Sequence, residues 1–375
     1  MIYISNDIKI WENTGGLSMK QISINEIENI RIGNAQNKEA GTGCTVVICE
    51  KGAVTGLDVR GGGPASRESE LLKPTAAAGY INAVLLSGGS AFGLDAAGGV
   101  MAYLEEKKIG FDVGVTVVPL VAQSCIFDLT VGDMKVRPDR AMAYEACVNS
   151  EKNNPAMGNE GAGTGASVGK LLGMTTAMKA GLGSYAVQIG DLKVGAIVAV
   201  NACGDIFDYD TQEIIAGLLT PDLKSFANTE QVIYNMASGK IQLEGKELQN
   251  TTIGVVVTNG KFTKAQMNKI ATMAHNGYAR TINPVHTTMD GDSIYAMSVG
   301  EVEADMDMVG TLAANVMGHA VCDAVRKAED AYGIIYIPGE NGPEYISKHY
   351  NVKNDTASDK SLNEKTTINK SRKRA

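Results

Sequence analysis

The chain has 375 residues, a formal net charge of −8, 44% hydrophobic residues and only 5% aromatic residues. This length is sufficient for one large domain or two, and the acidic balance disfavours a nucleic-acid partner. Four histidines make a His-rich metal site improbable, and no apolar run approaches the roughly 18 residues of a membrane span. We therefore expect no cofactor, no metal and no membrane partner.

The compartment is predicted from the N-terminus and the cysteines. Residues 1–18 lack the basic and apolar regions of a secretory signal. The six cysteines form no CxxC pair and mostly have apolar neighbours, which is typical of reduced core cysteines. Both observations predict a cytoplasmic protein. The cysteines are Cys44, Cys49, Cys125, Cys147, Cys203 and Cys322.

The first third of the chain predicts a lead-in, a hairpin and a helix. Residues 1–35 are interpreted as a variable lead-in, with Met19 as an alternative start. Two β-rich runs, 44–50 and 53–59, are separated by Lys51-Gly52, which predicts a hairpin. Apolar residues at helical spacing predict a helix over 91–109, ended by Gly110.

The middle of the chain predicts a second hairpin and then a linker. Gly190-Asp191 lies between the β-rich runs 185–189 and 192–201, which favours a two-residue turn. Residues 219–250 are rich in Lys, Glu, Asn and Ser with weak periodicity, and we interpret them as a surface linker. A strongly β-prone strand over 252–258 follows.

The last third predicts two helices and a tail. Thr263 and Gln266 form a capping box for the first helix, and the second is expected over about 306–328. The segment 350–375 has almost no apolar residues and is expected to be disordered. Strands and long helices interleave without strict alternation, so we predict an α+β fold in which helices cover stacked sheets.

The junction Asn250-Thr251 carries the most specific chemistry. A polar segment ends there, and a stiff strand begins with a hydroxyl residue. Cutting this bond would give Thr251 a free α-amine, and such an amine can activate the adjacent hydroxyl as a nucleophile. An amine of pKa about 7.8 is neutral roughly one time in seven at pH 7. A glycosylation site and a plain loop-to-strand junction are the alternatives.

Two further motifs have competing interpretations. Asp290-Gly291-Asp292 lacks the spacing of a calcium loop, so it is either a solvated turn or a carboxylate pair that holds an amine. Ser90 follows two glycines, but Phe92 stands where a nucleophile elbow needs glycine. A tight turn and helix N-cap is the better interpretation of Ser90.

Several blocks of the sequence, spread over about 40–325, resemble the P1 family of peptidases, which includes the L-aminopeptidase/D-esterase type and the nylon-oligomer hydrolases. The blocks are Leu57-Asp58-Val59-Arg60-Gly61-Gly62, Arg67-Glu68, Leu86-Ser87-Gly88-Gly89-Ser90-Ala91-Phe92-Gly93-Leu94-Asp95, Gly161-Ala162-Gly163-Thr164-Gly165-Ala166 through Lys170, Asn250-Thr251-Thr252, and His286-Thr287-Thr288-Met289-Asp290-Gly291-Asp292.

This resemblance implies a four-layer αββα sandwich of the N-terminal-nucleophile type, made as a precursor that cuts itself between Asn250 and Thr251. Residues 36–250 and 251–349 then form the two chains of a single domain. Thr251 matches the nucleophile of the family. The positions that resemble its catalytic surround are Lys170, Asn201, Asp290 and Asp292.

Each of these residues has an expected role and an alternative. Asn201 offers an amide donor to an oxyanion, or it is a turn residue at a strand end. Lys170 lowers the pKa of the amine or donates a hydrogen bond, or it is a surface lysine. Asp290 and Asp292 orient the amine and the hydroxyl. A tyrosine donor of some relatives is replaced here by Phe127, which leaves more of the oxyanion stabilisation to Asn201 and to backbone N–H groups.

The predicted function is hydrolysis of short peptides or amides through a Thr251 acyl-enzyme, by a homo-oligomer of cut protomers. An acyltransferase of the ornithine acetyltransferase type is the first alternative, although the glycine that those enzymes carry near the cut is missing here. The second alternative is a non-catalytic binding protein on the same scaffold.

Overall fold

The computed structural model describes residues 19–241 and 249–336, which form a mixed α/β fold. The described helices are α1 Ala97–Glu106, α2 Arg140–Asn149, α3 Thr229–Ala237, α4 Lys264–Thr281 and α5 Met306–Arg326. The described strands are β1 Lys20–Ile22, β2 Arg31–Asn37, β3 Thr42–Val59, β4 Ser66–Arg67, β5 Ile81–Ser87, β6 Phe111–Asp112, β7 Val117–Val118, β8 Val121–Cys125, β9 Ser167–Val168, β10 Met178–Lys179, β11 Leu182–Ile189, β12 Leu192–Ala199, β13 Asp205–Phe207, β14 Ile214–Ala216, β15 Ile253–Gly260, β16 Ile282–Asn283 and β17 Ser293–Val302.

Ten of these strands form one large sheet with two halves. Its order is β1-β11-β12-β15-β17-β3-β5-β8-β4, and β2 also pairs with β3. The first part of β3 pairs with β2 and β5, whereas its last part pairs with β17. The long strand β3 therefore joins the two halves.

The predicted hairpin at Lys51-Gly52 is wrong. These residues lie inside β3, where the pairing with β5 shifts register between Ile48 and Ala53. Gly52 has φ +81°, a conformation that glycine adopts without strain. Because β3 changes partners at this irregularity, the glycine marks a bulge in one strand rather than a turn between two.

The helices cover the outer faces of the two halves at close range. A Cβ at Gly183 in β11 would lie 2.2 Å from the Ala320 carbonyl of α5, and one at Gly33 in β2 would lie 2.1 Å from the Ala146 carbonyl of α2. Helix α4 approaches Gly56 of β3 in the same way. Apolar side chains of both halves, such as Leu86 and Ile253, share one buried cluster.

Strand β15 has a central place in this sheet. It pairs antiparallel with β12 and parallel with β17, and its residues from Ile253 to Val257 are buried. The predicted turn at Gly190-Asp191 is confirmed, since it connects β11 and β12. The Thr263–Gln266 capping box at the start of α4 is also confirmed.

Three other predictions concern the linker, the lead-in and the tail, and each has a different outcome. The predicted linker 219–250 contains helix α3, because Asn228 accepts a hydrogen bond from the Gln231 N–H and caps a short amphipathic run that composition alone concealed. Strand β1 and most of β2 fall within the lead-in predicted over 1–35. The predicted tail 350–375 lies outside the described residues.

Helices α1 and α5 show how the two helix predictions compare with the structure. The helix predicted over 91–109 is a 3₁₀ helix over Ser90–Ala96 followed by α1, since Gly93 packs directly against the Gly88 carbonyl. Helix α5 is long and apolar enough to cross a membrane by composition, but 67% of its most apolar window is buried inside the protein. Its burial against β11 and β12 is that of a core helix. The six cysteines are buried and free of disulfides.

Candidate active site

The Asn250-Thr251 peptide is held on both sides just before β15. The Thr251 N–H donates to the Asn201 carbonyl at 3.0 Å, and the Gly291 N–H donates to the Asn250 carbonyl at 3.1 Å. Asn250 N–H donates to the Met289 carbonyl at 3.0 Å. The Thr251 hydroxyl, which is almost fully buried, donates to the Asn250 carbonyl. The hydroxyl of Thr251 thus lies against the carbonyl that precedes it.

Asn201 and Lys170 meet at this peptide. Lys170 Nζ donates to Asn201 Oδ1 at 2.7 Å and to the Asn201 carbonyl at 3.0 Å, the same carbonyl that accepts from Thr251. Asn201 Oδ1 also accepts from the Ser167 N–H at 3.1 Å. Lys170 is 3% exposed, which contradicts its interpretation as a surface lysine.

The surroundings of Lys170 favour a neutral amine. Burial lowers the pKa of Lys170 to about 7, and Cys203, Asp290 and Asp128 offset this only in part. Desolvation disfavours the charged form of a buried lysine, so this direction is expected. An amine with a pKa near 7 is partly unprotonated at neutral pH and can accept a proton.

Asp290 is held by the loop that precedes it. Its Oδ2 accepts from the Thr287 N–H at 2.7 Å and from the Thr287 hydroxyl at 2.6 Å. Burial and the charge of Asp292 raise the pKa of Asp290 to about 6, while the Thr287 hydrogen bonds and Lys170 oppose the shift. The interpretation of this segment as a solvated turn is wrong, because Asp290 and Asp292 are both buried.

Asp292 forms hydrogen bonds both with the residue before β15 and with a histidine. Its Oδ1 accepts from the Thr252 N–H at 2.7 Å, and its Oδ2 accepts from the His286 N–H at 3.0 Å. His286 Nδ1 lies 2.9 Å from the same Oδ2. The backbone carbonyl of Asp292 also accepts from the Arg60 N–H at 3.0 Å. Asp292 thus fixes the residue that follows Thr251.

Glycines allow the backbone of the loop 61–63 to pack against the loop 286–292. Gly62 N–H donates to the Thr287 carbonyl at 3.1 Å, and Gly63 N–H donates to the Asp290 carbonyl at 2.8 Å. A Cβ at Gly61 would lie 2.3 Å from the Asp290 carbonyl oxygen. Glycine is therefore required where the two loops touch.

The Asn201 amide has a different partner from the one expected. Its Nδ2 donates to the Phe127 carbonyl at 2.9 Å, so one of its two N–H groups is engaged in the uncut chain. Phe127 contributes its backbone where some relatives use a tyrosine. A tyrosine does approach this segment, because the Tyr295 hydroxyl lies 2.7 Å from Ser124 Oγ.

The structure brings the predicted site residues together around one peptide bond: Lys170, Asn201, Asn250, Thr251, Asp290 and Asp292. Sequence reasoning missed the contributions of Thr287, His286 and the Gly291 N–H. All three lie in the block from His286 to Asp292 that carried the resemblance, so their nearness to the carboxylates was a usable signal. Within residues 19–241 and 249–336, no group of three or more His, Cys, Asp or Glu side chains is arranged to hold a metal ion.

The chain is similar to known peptidases over most of its length. The family model described as peptidase family S58 matches residues 23–335. An uncharacterised aminopeptidase of Mycobacterium leprae is 37% identical over 350 residues, covering 83% of this chain and 92% of the relative. A 6-aminohexanoate-oligomer endohydrolase of Kocuria sp. is 28% identical over 315 residues, covering 80% and 85%.

A solved structure identifies the fold class. The L-aminopeptidase D-Ala-esterase/amidase of Ochrobactrum anthropi, described as a variant of the Ntn hydrolase fold, superposes with a TM-score of 0.65 at 16% identity. The match covers 84% of this chain and 91% of that one. The chain therefore has an Ntn hydrolase fold, in which a mixed α/β structure is built around a large sheet. It belongs to peptidase family S58, whose members hydrolyse peptide and amide bonds.

Proposed function

We propose that this chain is a self-processing N-terminal-nucleophile amidohydrolase of the aminopeptidase type, cut between Asn250 and Thr251. The observation that carries the proposal is the Asn250-Thr251 peptide itself. Its carbonyl accepts from the Gly291 N–H, its N–H donates to Asn201, and the Thr251 hydroxyl contacts its carbonyl. A hydroxyl and a polarised carbonyl held together in this way favour intramolecular attack.

The cut proceeds as an N→O acyl shift. Thr251 Oγ1 attacks the Asn250 carbonyl carbon, the C–N bond breaks, and the hydroxyl proton passes to the departing nitrogen, which leaves an ester. Water then hydrolyses this ester and releases the Asn250 carboxylate. The Gly291 N–H is directed at the oxygen on which negative charge develops, as in an oxyanion hole.

Lys170 is the best candidate for the base of this step. Its buried amine has a pKa of about 7 and shares the Asn201 carbonyl with the Thr251 N–H. Asp290 and Asp292 flank Gly291, and we assign to their carboxylates the holding of the new α-amine after the cut. That amine and Lys170 together supply the proton transfers of acyl-enzyme formation and hydrolysis.

Replacing Gly291 by alanine is expected to slow the cut by about 10²–10³-fold, the cost of losing one oxyanion donor. A Cβ there would lie 2.8 Å from Thr251 Oγ1 and 2.9 Å from the Gly63 carbonyl, so the alignment of Gly291 with the Thr251 hydroxyl must change. Gly79→Ala is the matched control, because a Cβ there meets no atom within 4 Å. Densitometry of precursor and fragments over time measures both rates, and equal rates would contradict the role of Gly291.

The substrate class we propose is short peptides and amides. Support comes from the relatives, which are named as aminopeptidases and as 6-aminohexanoate-oligomer endohydrolases. An assay of aminoacyl amides, 6-aminohexanoate oligomers and acetyl-ornithine with an amine acceptor tests this choice. Release of acid from an amide supports the hydrolase, whereas transfer of acetyl to the acceptor alone supports the acyltransferase. No turnover by a fully cut protein supports the binding scaffold.

We also propose a four-layer αββα sandwich and a cytoplasmic homo-oligomer of cut protomers. Helices α4 and α5 on one half of the sheet, and α1 and α2 on the other, support the layered architecture. Light scattering after size exclusion measures the assembly. A mass equal to one protomer would contradict the oligomer.

A further inference from the structure

Two histidines and a tyrosine form a buried cluster behind Asp292. The ring centroids of His275 and His286 lie 4.8 Å apart, those of His275 and Tyr278 lie 5.4 Å apart, and those of Tyr278 and His286 lie 6.3 Å apart. His275 and Tyr278 are on α4, and His286 is on the loop that carries the carboxylates. The Tyr278 hydroxyl would be 2.8 Å from a Cβ at Gly254, so it lies against strand β15 three residues after Thr251.

Each member of this cluster has a polar atom without a partner. His275 Nδ1, the Tyr278 hydroxyl and His286 Nε2 are shielded from solvent, and none of the described residues forms a hydrogen bond with them. An unpaired buried polar atom is destabilising, and three in one place are unusual. Buried water commonly satisfies such groups.

The known hydrogen bonds fix where the ring protons are. The carboxylate oxygen Asp292 Oδ2 only accepts, so His286 Nδ1 must donate to it at 2.9 Å. The Asp58 backbone carbonyl also only accepts, so His275 Nε2 must donate to it at 3.1 Å. When both rings are neutral, His286 Nε2 and His275 Nδ1 are left as bare acceptors. The Tyr278 hydroxyl is left as a donor.

Two acceptors and one donor match the hydrogen bonds of a single water molecule, which donates twice and accepts once. We propose that a water bound between His275, Tyr278 and His286 holds His286 in the tautomer that donates to Asp292. His286 is then a positioning residue for the cut at Thr251, because Asp292 in turn holds the Thr252 N–H. This inference rests on the proposed function for its catalytic consequence, but not for the water site itself.

The surroundings of His275 favour its neutral ring. Burial lowers the pKa of His275 to about 4, and the neighbouring His286 and Arg60 act in the same direction, while Asp58 opposes them. Asp292 is the carboxylate that faces His286 directly. A proton added to His286 Nε2 would turn this acceptor into a donor and would remove the neutral tautomer that the water is proposed to hold.

The water site is tested in the full-length Thr251→Ala protein, whose intact chain is verified by denaturing mass spectrometry before each measurement. Side-chain ¹⁵N NMR of histidine-labelled protein at pH 7 is expected to show His286 protonated on Nδ1 and His275 protonated on Nε2. His319→Gln and His349→Gln assign the remaining two of the four histidines. A crystal structure is expected to show one water bonded to all three atoms. The same tautomer in both rings, an imidazolium, or a direct hydrogen bond between the side chains would overturn the proposal.

The positioning role is tested by a pair of substitutions in the wild-type chain. His286→Asn places an amide N–H where Nδ1 donates, whereas His286→Gln places it near Nε2. We expect Asn to retain most of the rate of the cut and Gln to slow it by about 10- to 100-fold, as when outer hydrogen-bond partners of metal ligands are removed. His286 has φ +60°, which Asn tolerates well, so unfolding midpoints of both variants are compared. Equal rates, or rates that follow only stability, would refute the role.

Discussion

Replacing Thr251 by alanine is expected to abolish the cut and all hydrolysis, leaving a single full-length chain. The alanine lacks the oxygen that attacks the Asn250 carbonyl and, later, the substrate. Among the described residues the Thr251 hydroxyl donates to the adjacent Asn250 carbonyl, so its loss removes no long-range hydrogen bond there. The unfolding midpoint is therefore expected to change by a few degrees at most. Denaturing gels and an amide-hydrolysis assay measure the two activities.

Two matched variants test whether the hydroxyl at position 251 is the group that matters. Thr251→Ser keeps the hydroxyl and is expected to be cut at the same bond. Thr252→Ala removes a neighbouring buried hydroxyl that has no hydrogen-bond partner among the described residues, and it is expected to be cut normally. A Thr251→Ala protein that is still cut between residues 250 and 251 would exclude Thr251 as the nucleophile.

Replacing Lys170 by methionine is expected to slow the cut by about 10²–10⁴-fold, the range for loss of a general base. Methionine keeps most of the buried volume but has no amine. Asn201 would retain its hydrogen bonds from the Ser167 and Thr251 N–H groups, so the site is expected to stay folded. Lys170→Arg is expected to be equally slow, because a guanidinium does not give up its proton.

The pH dependence of the cut separates a base from a structural lysine. Lys170 acts only when unprotonated, so the wild-type rate is expected to rise with pH and to level off above about 7. Lys179 is the control. Burial also lowers its pKa to about 7, but its amine donates to backbone carbonyls, including that of Ala166 at 2.9 Å. Lys179→Met is expected to lower the stability of the protein, but the inflection of its pH–rate profile is expected to stay near pH 7. An unchanged inflection in Lys170→Met would contradict the assignment.

Local sequence signals predicted much of the fold. The Gly190-Asp191 turn and the Thr263–Gln266 capping box depend on neighbouring residues only, and both are confirmed. Lys51-Gly52 misled because a glycine with positive φ serves a bulge as well as a turn. The difference lies in which strands pair with β3, and that is a long-range property. Helix α3 was missed because Asp205, distant in sequence, accepts from the Thr229 N–H and hydroxyl at its start.

The site was predicted mainly through the resemblance. Residue types and spacing suggested a nucleophile at Thr251 and a carboxylate pair after it, but they left Lys170 and Asn201 open to ordinary structural roles. Only the fold brings Lys170 Nζ to the Asn201 carbonyl that the Thr251 N–H also uses. The Gly291 N–H could not be found by side-chain chemistry, because its contribution comes from the backbone.

Self-cleavage before Thr251 is the step on which the proposed hydrolase depends. Denaturing mass spectrometry of the purified wild-type protein, followed over time with N-terminal sequencing of any fragment, tests it most directly. We expect the precursor to convert into two fragments, the smaller of which begins Thr251-Thr252-Ile253. A single full-length species that persists on long incubation while the protein hydrolyses amides would contradict it.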